Sequence, residues 1–237
     1  MTDTTGNNIL EVIGKADRFN SWMYHTILPH VSGITLEIGS GIGNISKYFI
    51  RDGYEISLSD SDEHYIEILR HKFLHYPNVK DIIAIDLLHP QFEVCYSKYH
   101  SHFDSVFLLN VLEHVENDSQ AIRNCKFLLK PSGRLTLLTP AYNQLFSKLD
   151  RALGHHRRYT AKSLRKVISI TGMNYESSYY FNFLGILGWL YGKLRGFKTI
   201  PSGEMNVFNH IVPLGKILDR IFFRKAGLSV IATARKP

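Results

Sequence analysis

Hydrophobic and polar positions along the 237 residues switch repeatedly between two periods. Apolar runs of strand length recur at Ile34–Ile38, Tyr54–Ser59, Val79–Ile85, Ser105–Leu109 and Arg134–Thr139. Between them the apolar residues shift to helical spacing. The helices so predicted run over Asn44–Asp52, which Gly53 ends, over Glu63–Leu74, and over Asp118–Leu129, which Lys130-Pro131-Ser132-Gly133 ends. Ser105–Leu109 is apolar through its middle, as a strand covered on both faces has to be. Phe92–His102, rich in Tyr and His, fits neither period. A helix at Ala161–Ile170 and strands at Asn174–Phe181 and Ser229–Ala234 complete seven strands. The expected fold is α/β, a doubly wound, mostly parallel sheet with helices on both faces.

Two segments stand outside this alternation. Residues 9–33 carry a helical stripe (Ile9, Leu10, Ile13, Ala16, Phe19, then Trp22, Met23, Ile27, Leu28), interrupted by Pro29 and Gly33. Such a segment could close over the start of the sheet or pack on its edge. Residues 182–226 separate the last two strands. Their first part, Phe183-Leu184-Gly185-Ile186-Leu187-Gly188-Trp189-Leu190-Tyr191, is strongly apolar. Their second part places Ile211, Leu214, Ile217, Leu218, Ile221 and Phe222 on a helical stripe among Lys216, Arg220, Arg224 and Lys225. Core packing, a lid over a greasy ligand, a dimer contact and an interfacial membrane element all fit that pattern. The organisation read from the pattern is an N-terminal helical cap (1–33), a Rossmann-like core (34–181), a helical insert (182–226) and a final core strand (227–237).

Candidate chemistry gathers where strands end. The first strand runs into Glu37-Ile38-Gly39-Ser40-Gly41-Ile42-Gly43, a turn that lets a ligand approach the backbone. Dinucleotide sites place phosphate at such a turn, where the carboxylate of Glu37 would repel it. Glu37 suits a cofactor with a positive group, and S-adenosylmethionine (SAM), whose amino group is cationic, is the candidate. Asp60, at the tip of the second strand, suits a ribose diol. Ser61 or Asp62 suits the cap of the next helix. Asp86 follows the third strand and suits an exocyclic amine. Asn110 follows the fourth, and Glu113 and His114 follow it.

Charge is distributed unevenly. Residues 1–150 hold 13 Lys and Arg against 18 Asp and Glu, whereas residues 151–237 hold 15 against 3. A solvated basic face accounts for this, and so does an acidic partner: a phosphorylated or carboxylated substrate, an anionic membrane or nucleic acid. Nucleic acid is the poorest fit, because the aromatics of this part sit in an apolar run and do not interleave with the basic residues. Cys95 and Cys125 do not make a disulfide framework. Met1–Asn8 lacks the apolar core of a signal peptide and no uncharged run is long enough to span a bilayer, so a cytoplasmic protein is expected.

Taken together, Leu36–Gly43, Asp60, Asp86, Asn110-Val111-Leu112-Glu113-His114-Val115 and Leu129–Arg134 resemble the class I SAM-dependent methyltransferases over residues 15–180. The Leu-Glu-His-Val segment is similar to the ubiquinone-type O-methyltransferase branch, in the type 11–12 small-molecule group. The resemblance implies that Glu37, Gly39, Ser40, Gly41 and Gly43 hold the methionine part of SAM. It implies Asp60 at the ribose, Asp86 at the adenine amine, Leu109 and Asn110 along the cofactor, and Ser61 and Leu87 among the other cofactor-binding residues. Some members of that branch bind a divalent metal through two acids and a histidine at this loop. Asn110 stands where the first acid would be, so no metal is expected. Asp150–Thr160 and Gly227–Pro237 resemble methyltransferases found beside glycosyltransferases in bacterial biosynthetic clusters, which implies a small-molecule or lipid-linked acceptor.

Methyl transfer from a sulfonium requires positioning and, for a hydroxyl acceptor, a base. His114 is the candidate base, with Glu113 orienting it, and the alternative is that both merely hold the loop. Asn110 lacks the aromatic neighbours of an amine clamp, so oxygen is the expected acceptor atom. His155, His156, Arg157, Arg158 and Tyr159 could bind a carboxylate or phosphate, or could serve as scaffold. Adjacent histidines do not have the spacing of a zinc site.

Overall fold

The computed structural model describes residues 4–197, 199 and 202–237. Met1–Asp3 at the polar N-terminus, and Lys198, Ile200 and Pro201 in the insert, lie outside the described residues. In chain order the elements are α1 (Thr4–Gly14), α2 (Asp17–Ile27), β1 (Thr35–Ile38), α3 (Ser46–Arg51), β2 (Ile56–Asp60), α4 (Glu63–Phe73), β3 (Val79–Ala84), α5 (Phe92–Cys95), β4 (Phe103–Leu109), α6 (Asp118–Leu128) and β5 (Leu129–Pro140). They continue with α7 (Lys148–Ala152), α8 (Ala161–Ile170), β6 (Asn174–Phe181), α9 (Phe183–Arg195), α10 (Ser202–Ile221) and β7 (Ser229–Arg235).

The seven strands form one sheet in the order β3-β2-β1-β4-β5-β7-β6. Every pair from β3 to β5 is parallel, and β7 runs antiparallel between β5 and β6. The strand order reverses at β1 and β4, which opens a crevice above their carboxyl ends. Alternate side chains feed two separate cores. Val106 and Leu108 of β4 pack with α6 and α8, whereas Phe107 between them packs with α2, α3 and α4. That is the doubly wound arrangement expected from the periodicity. Phe107 is fully buried, and truncating it to Ala costs about 3–5 kcal/mol.

Three local departures have physical causes. The stripe over residues 9–33 forms two helices instead of one. Gly14 ends the first, and a Cβ there would crowd the Asn44 side chain, 2.9 Å away. Asn20 Nδ2 then donates at 2.8 Å to the Ile13 carbonyl, which also accepts from Ala16 N–H at 2.9 Å. The turn at Lys130–Gly133 is absorbed into β5, where the register against β4 shifts between Phe103 and Ser105. The helix expected from Asn44 begins at Ser46, after a run of turns.

In the insert, α9 and α10 form a hairpin, of which α10 packs on α2. Asp219 of α10 is buried and accepts from the Asn182 and Phe183 N–H groups at 2.8 and 2.7 Å, satisfying the first turn of α9. Asn182 adopts a left-handed conformation and caps Gly185. Among the described residues no helix is long and apolar enough to cross a membrane.

Candidate functional site

A cavity of about 780 Å³ opens at the carboxyl ends of β1, β2 and β4. Its volume lies in the range of small-molecule and cofactor sites. α1 and α2 close one side through Leu10, Ile13, Asn20 and Met23, and the α9–α10 hairpin closes another.

The glycine turn after β1 is lashed to β2. Gly39 and Ser40 N–H groups both donate to Ser59 O at 2.8 Å. Gly41 N–H donates to Asp60 Oδ2 at 2.9 Å, and Asp62 N–H donates to Oδ1 at 3.1 Å. Gly39 has φ +75°, and a Cβ on it would collide with Val111. The close packing of the turn against the loop after β4 therefore requires glycine. Asp60 is buried, which pushes its carboxyl up against the downward pull of these backbone donors.

Glu37 is 3% exposed, lines the cavity, and accepts a hydrogen bond from Ser46 Oγ. Burial pushes its carboxyl up to about 7, opposed by the Ser46 and Ser40 hydroxyls. Asn20 lines the same region. Its Nδ2 is used on Ile13, and its buried Oδ1 has no hydrogen-bond partner. Ser61, Asp86, Leu87, Leu109 and Asn110 also line the cavity. Asp86 caps its own turn by accepting from Leu88 N–H at 2.8 Å, and Asn110 turns the chain with φ +54°. Gly43, expected with the cofactor, does not line the cavity. Its φ is +82°, and a Cβ there would collide with Phe73 of α4, so it serves packing.

The second half of the cavity is built from charge. After β4 a single 3₁₀ turn, Leu112–His114, leaves Glu113 fully buried and His114 exposed, both on the cavity wall. Neither carboxylate oxygen of Glu113 has a hydrogen-bond partner, and burial pushes this group up to about 8. The His114 ring meets His155 edge-on, with centroids 4.6 Å apart. His155 Nδ1 lies 2.9 Å from Asp150 Oδ1. Arg158 forks onto the same carboxylate, Nε to Oδ1 at 2.8 Å and Nη2 to Oδ2 at 3.2 Å. Its guanidinium also stands 4.3 Å from the Trp189 ring centroid of α9. Against the upward push of burial, His155 and Arg158 hold the Asp150 carboxyl below its ordinary range.

One ligand atom from each of Glu113, His114 and His155 lies within 4.8 Å of the others. One carboxylate and two imidazoles, one oriented by Asp150, form a donor set that suits a divalent ion as well as acid–base work. The sequence concealed this set because His155 lies 41 positions after His114.

His155 and Arg158 line the cavity, but His156, Arg157 and Tyr159 do not. His156 N–H donates to Glu113 O at 2.8 Å. Arg157 pairs with Asp118 at 3.0 Å and donates to Glu116 O, and Tyr159 OH donates to Asp118 at 3.0 Å. These three fasten their loop to the one after β4. Of the two alternatives, acceptor contact and scaffold, these contacts are of the second kind: Arg157 pairs with Asp118 and Arg158 with Asp150. Asn20, Asp150 and Trp189 are site residues that the pattern did not single out for this role. Asp150 carried one local signal, the Ser147-x-x-Asp150 spacing of a capping box, and that box forms.

Residues 36–135 match the model of a methyltransferase domain family. Over 104 residues the chain is 30% identical to the ubiquinone biosynthesis O-methyltransferase of Xanthomonas oryzae pv. oryzae and 29% identical to that of Proteus mirabilis. Each match covers 44% of this chain, and 41% and 40% of the relative, so the chain spans about two-fifths of the curated relatives it matches. Among solved structures it is similar to a SAM-dependent methyltransferase from Archaeoglobus fulgidus, at 16% identity and a TM-score of 0.57, covering 92% of this chain and 94% of that one. It is also similar to phosphoethanolamine N-methyltransferase 2 of Haemonchus contortus in complex with SAM, at 15% identity and a TM-score of 0.59, covering 91% and 52%. Sheet order and glycine turn agree with the methyltransferase-domain model that residues 36–135 match, and the chain shares its fold with these methyltransferase structures.

Proposed function

We propose that the protein transfers a methyl group from SAM to a hydroxyl oxygen of a small-molecule or lipid-like acceptor, in a biosynthetic pathway. The observation that carries this reading is the sharing of one cavity by the two sets of groups. Glu37, Gly39–Gly41, Asp60 and Asp86 line it with His114, His155 and the unpartnered Glu113. The curated relatives that this chain resembles are named as O-methyltransferases.

In this reading Glu37 and Asn20 Oδ1 receive the cofactor's ammonium, Asp60 and Ser61 the ribose, and Asp86 and Leu87 the adenine, with Leu109 and Asn110 along its length. The sulfonium supplies an activated methyl group. His114, exposed on the cavity wall, takes the acceptor proton as the methyl group transfers. Glu113 is a neutral acid below about pH 8 and holds a proton beside that imidazole without adding negative charge to the buried site. Asp150 orients His155 against His114 and keeps Arg158 in place, so both are positioning residues. Arg158 is committed to Asp150, so recognition of the acceptor falls to its shape and apolar surface more than to its charge.

Calorimetric titration with SAM and transfer of labelled methyl to phenolic test acceptors examine the reading. Saturable SAM binding that Gly41→Arg abolishes supports it. No SAM binding by the parent would overturn it, and transfer to amines but not to hydroxyls would overturn the oxygen assignment.

A further inference from the structure

The two helices of the insert each have two unlike faces. On α9, Gly185, Gly188, Trp189 and Gly192 follow helical spacing and line the cavity. Leu187, Leu190, Tyr191 and Leu194 follow the same spacing on the other side and are exposed, Leu187 by 60% and Leu194 by 88%. α10 repeats the pattern. Its Met205 and Val212 are buried, whereas Val207, Ile211, Leu214, Ile217 and Ile221 are exposed. The chain then turns through Phe223, 79% exposed and held at φ +51°, a conformation that favours glycine and costs a bulky side chain. Single exposed apolar side chains are ordinary on a protein surface, but a stripe of them on each of two packed helices is not.

The charges around the stripes indicate what covers them. Residues 182–226 hold seven Lys and Arg against two Asp and Glu. One of those acids, Asp219, is buried on the N-terminus of α9. Arg195, Lys216, Arg220, Arg224 and Lys225 are exposed. Lys216 also walls a cleft on the flank of α10 with Arg18, Lys47 and Arg51, where Asp17 pairs with Lys47 and Asp52 with Arg51. Interfaces between proteins deplete lysine, whereas an apolar face bordered by cations, with an exposed aromatic beside it, matches the boundary of an anionic bilayer.

We propose that the α9–α10 hairpin docks this protein on an anionic lipid surface. The outer stripes and Phe223 enter the headgroup layer, and the basic residues meet the lipid phosphates. The inner face of α9 is at the same time a wall of the cavity, so an acceptor with a lipid tail reaches the site from the bilayer side. That last point rests on the proposed methyl transfer, but docking itself does not.

Co-sedimentation of the full chain with phosphatidylcholine vesicles, and with vesicles that also contain phosphatidylglycerol, tests the proposal. The expected result is binding to the anionic vesicles only, reversed by salt. Leu194→Glu combined with Phe223→Ser, and separately Lys216→Glu combined with Arg220→Glu, are each expected to lower partitioning by about tenfold or more. Circular dichroism and SAM titration of both double variants are expected to match the parent, which separates lost docking from lost folding. Absence of binding to anionic vesicles, or equal binding by the folded variants, would overturn the proposal. So would a dimer in sedimentation equilibrium that Leu194→Glu dissociates, which would assign the stripes to a second copy. Vesicle binding by a protein that does not bind SAM would leave docking standing and remove the methyl-transfer reading.

Discussion

The two halves of the cavity are held together by different means. At the ends of β1 and β2, backbone N–H groups do the holding: Gly39 and Ser40 bind Ser59 O, and Gly41 binds Asp60. These contacts follow from strand register and a three-glycine turn, and they leave Glu37 on the cavity wall, where Asn20 of α2 joins it. Beyond β4, buried side-chain charge does the holding. Asp150 carries His155 and Arg158, and Arg158 stands over Trp189. A backbone-built wall tolerates side-chain changes that leave glycines intact, whereas a charge-built wall fails when one partner is removed.

That contrast can be broken most strongly at His114. His114→Ala is expected to lower turnover about 10²–10⁴-fold while SAM affinity stays unchanged, read by single-turnover kinetics beside calorimetry. An unaltered rate at saturating acceptor would remove the base assignment. Next, Asp150→Ala should lower unfolding stability by about 3–5 kcal/mol in urea melts, because Arg158 is left buried without its counter-charge. A change under 1 kcal/mol, on the order of an exposed pair, would show that water reaches this cluster.

On the other wall, Glu37→Gln should weaken SAM binding about ten- to a hundredfold. For the parent, affinity should rise as pH rises through about 7, because a cationic ligand selects the ionised carboxylate. The ligand-free protein should move the opposite way. Native Glu37 and Glu113 retain protons that the unfolded chain releases above the ordinary glutamate value, so stability falls as pH rises toward about 8. Flat affinity across that window would take Glu37 away from the ammonium. The smallest effect is expected from Arg157→Ala, within about twofold in turnover, since its pair with Asp118 is partly exposed. Removing divalent ions with EDTA should likewise change turnover by no more than about twofold if His114 works as a base. A large loss restored by a divalent ion would reassign Glu113, His114 and His155 as its ligands.

Much of the backbone-built wall was legible in the sequence, and little of the charge-built one. The wall on β1–β3 depends on period and on residues at strand tips, both local properties, so Asp60 and Asp86 could be located by counting from apolar runs. Gly43 shows where that logic stops. A glycine in the turn reads as an approach point for a ligand, and only the path of α4 reveals that Phe73 needs the space. Beyond β4 the decisive partners are distant in the chain or change with a single turn. Consecutive Glu113 and His114 diverge into burial and exposure because successive residues of their 3₁₀ turn point about 120° apart. Arg157 and Arg158 look equivalent in sequence, yet one clips a loop and the other is committed to Asp150. No local pattern distinguishes them.

Gly188, on the inner face of α9, gives the cavity room, whereas Gly185 is held close by its Asn182 cap. A Cβ on Gly188 would meet nothing within 4 Å, so the space beside the helix is kept by the absence of a side chain, not by strain. Acceptor selectivity in the proposed reaction would therefore be adjustable at a position that takes no part in the chemistry. Replacing Gly188 with progressively larger residues would act as a graded sieve, excluding bulky acceptors first and leaving compact ones served. The natural sequence sets that sieve at its widest mesh.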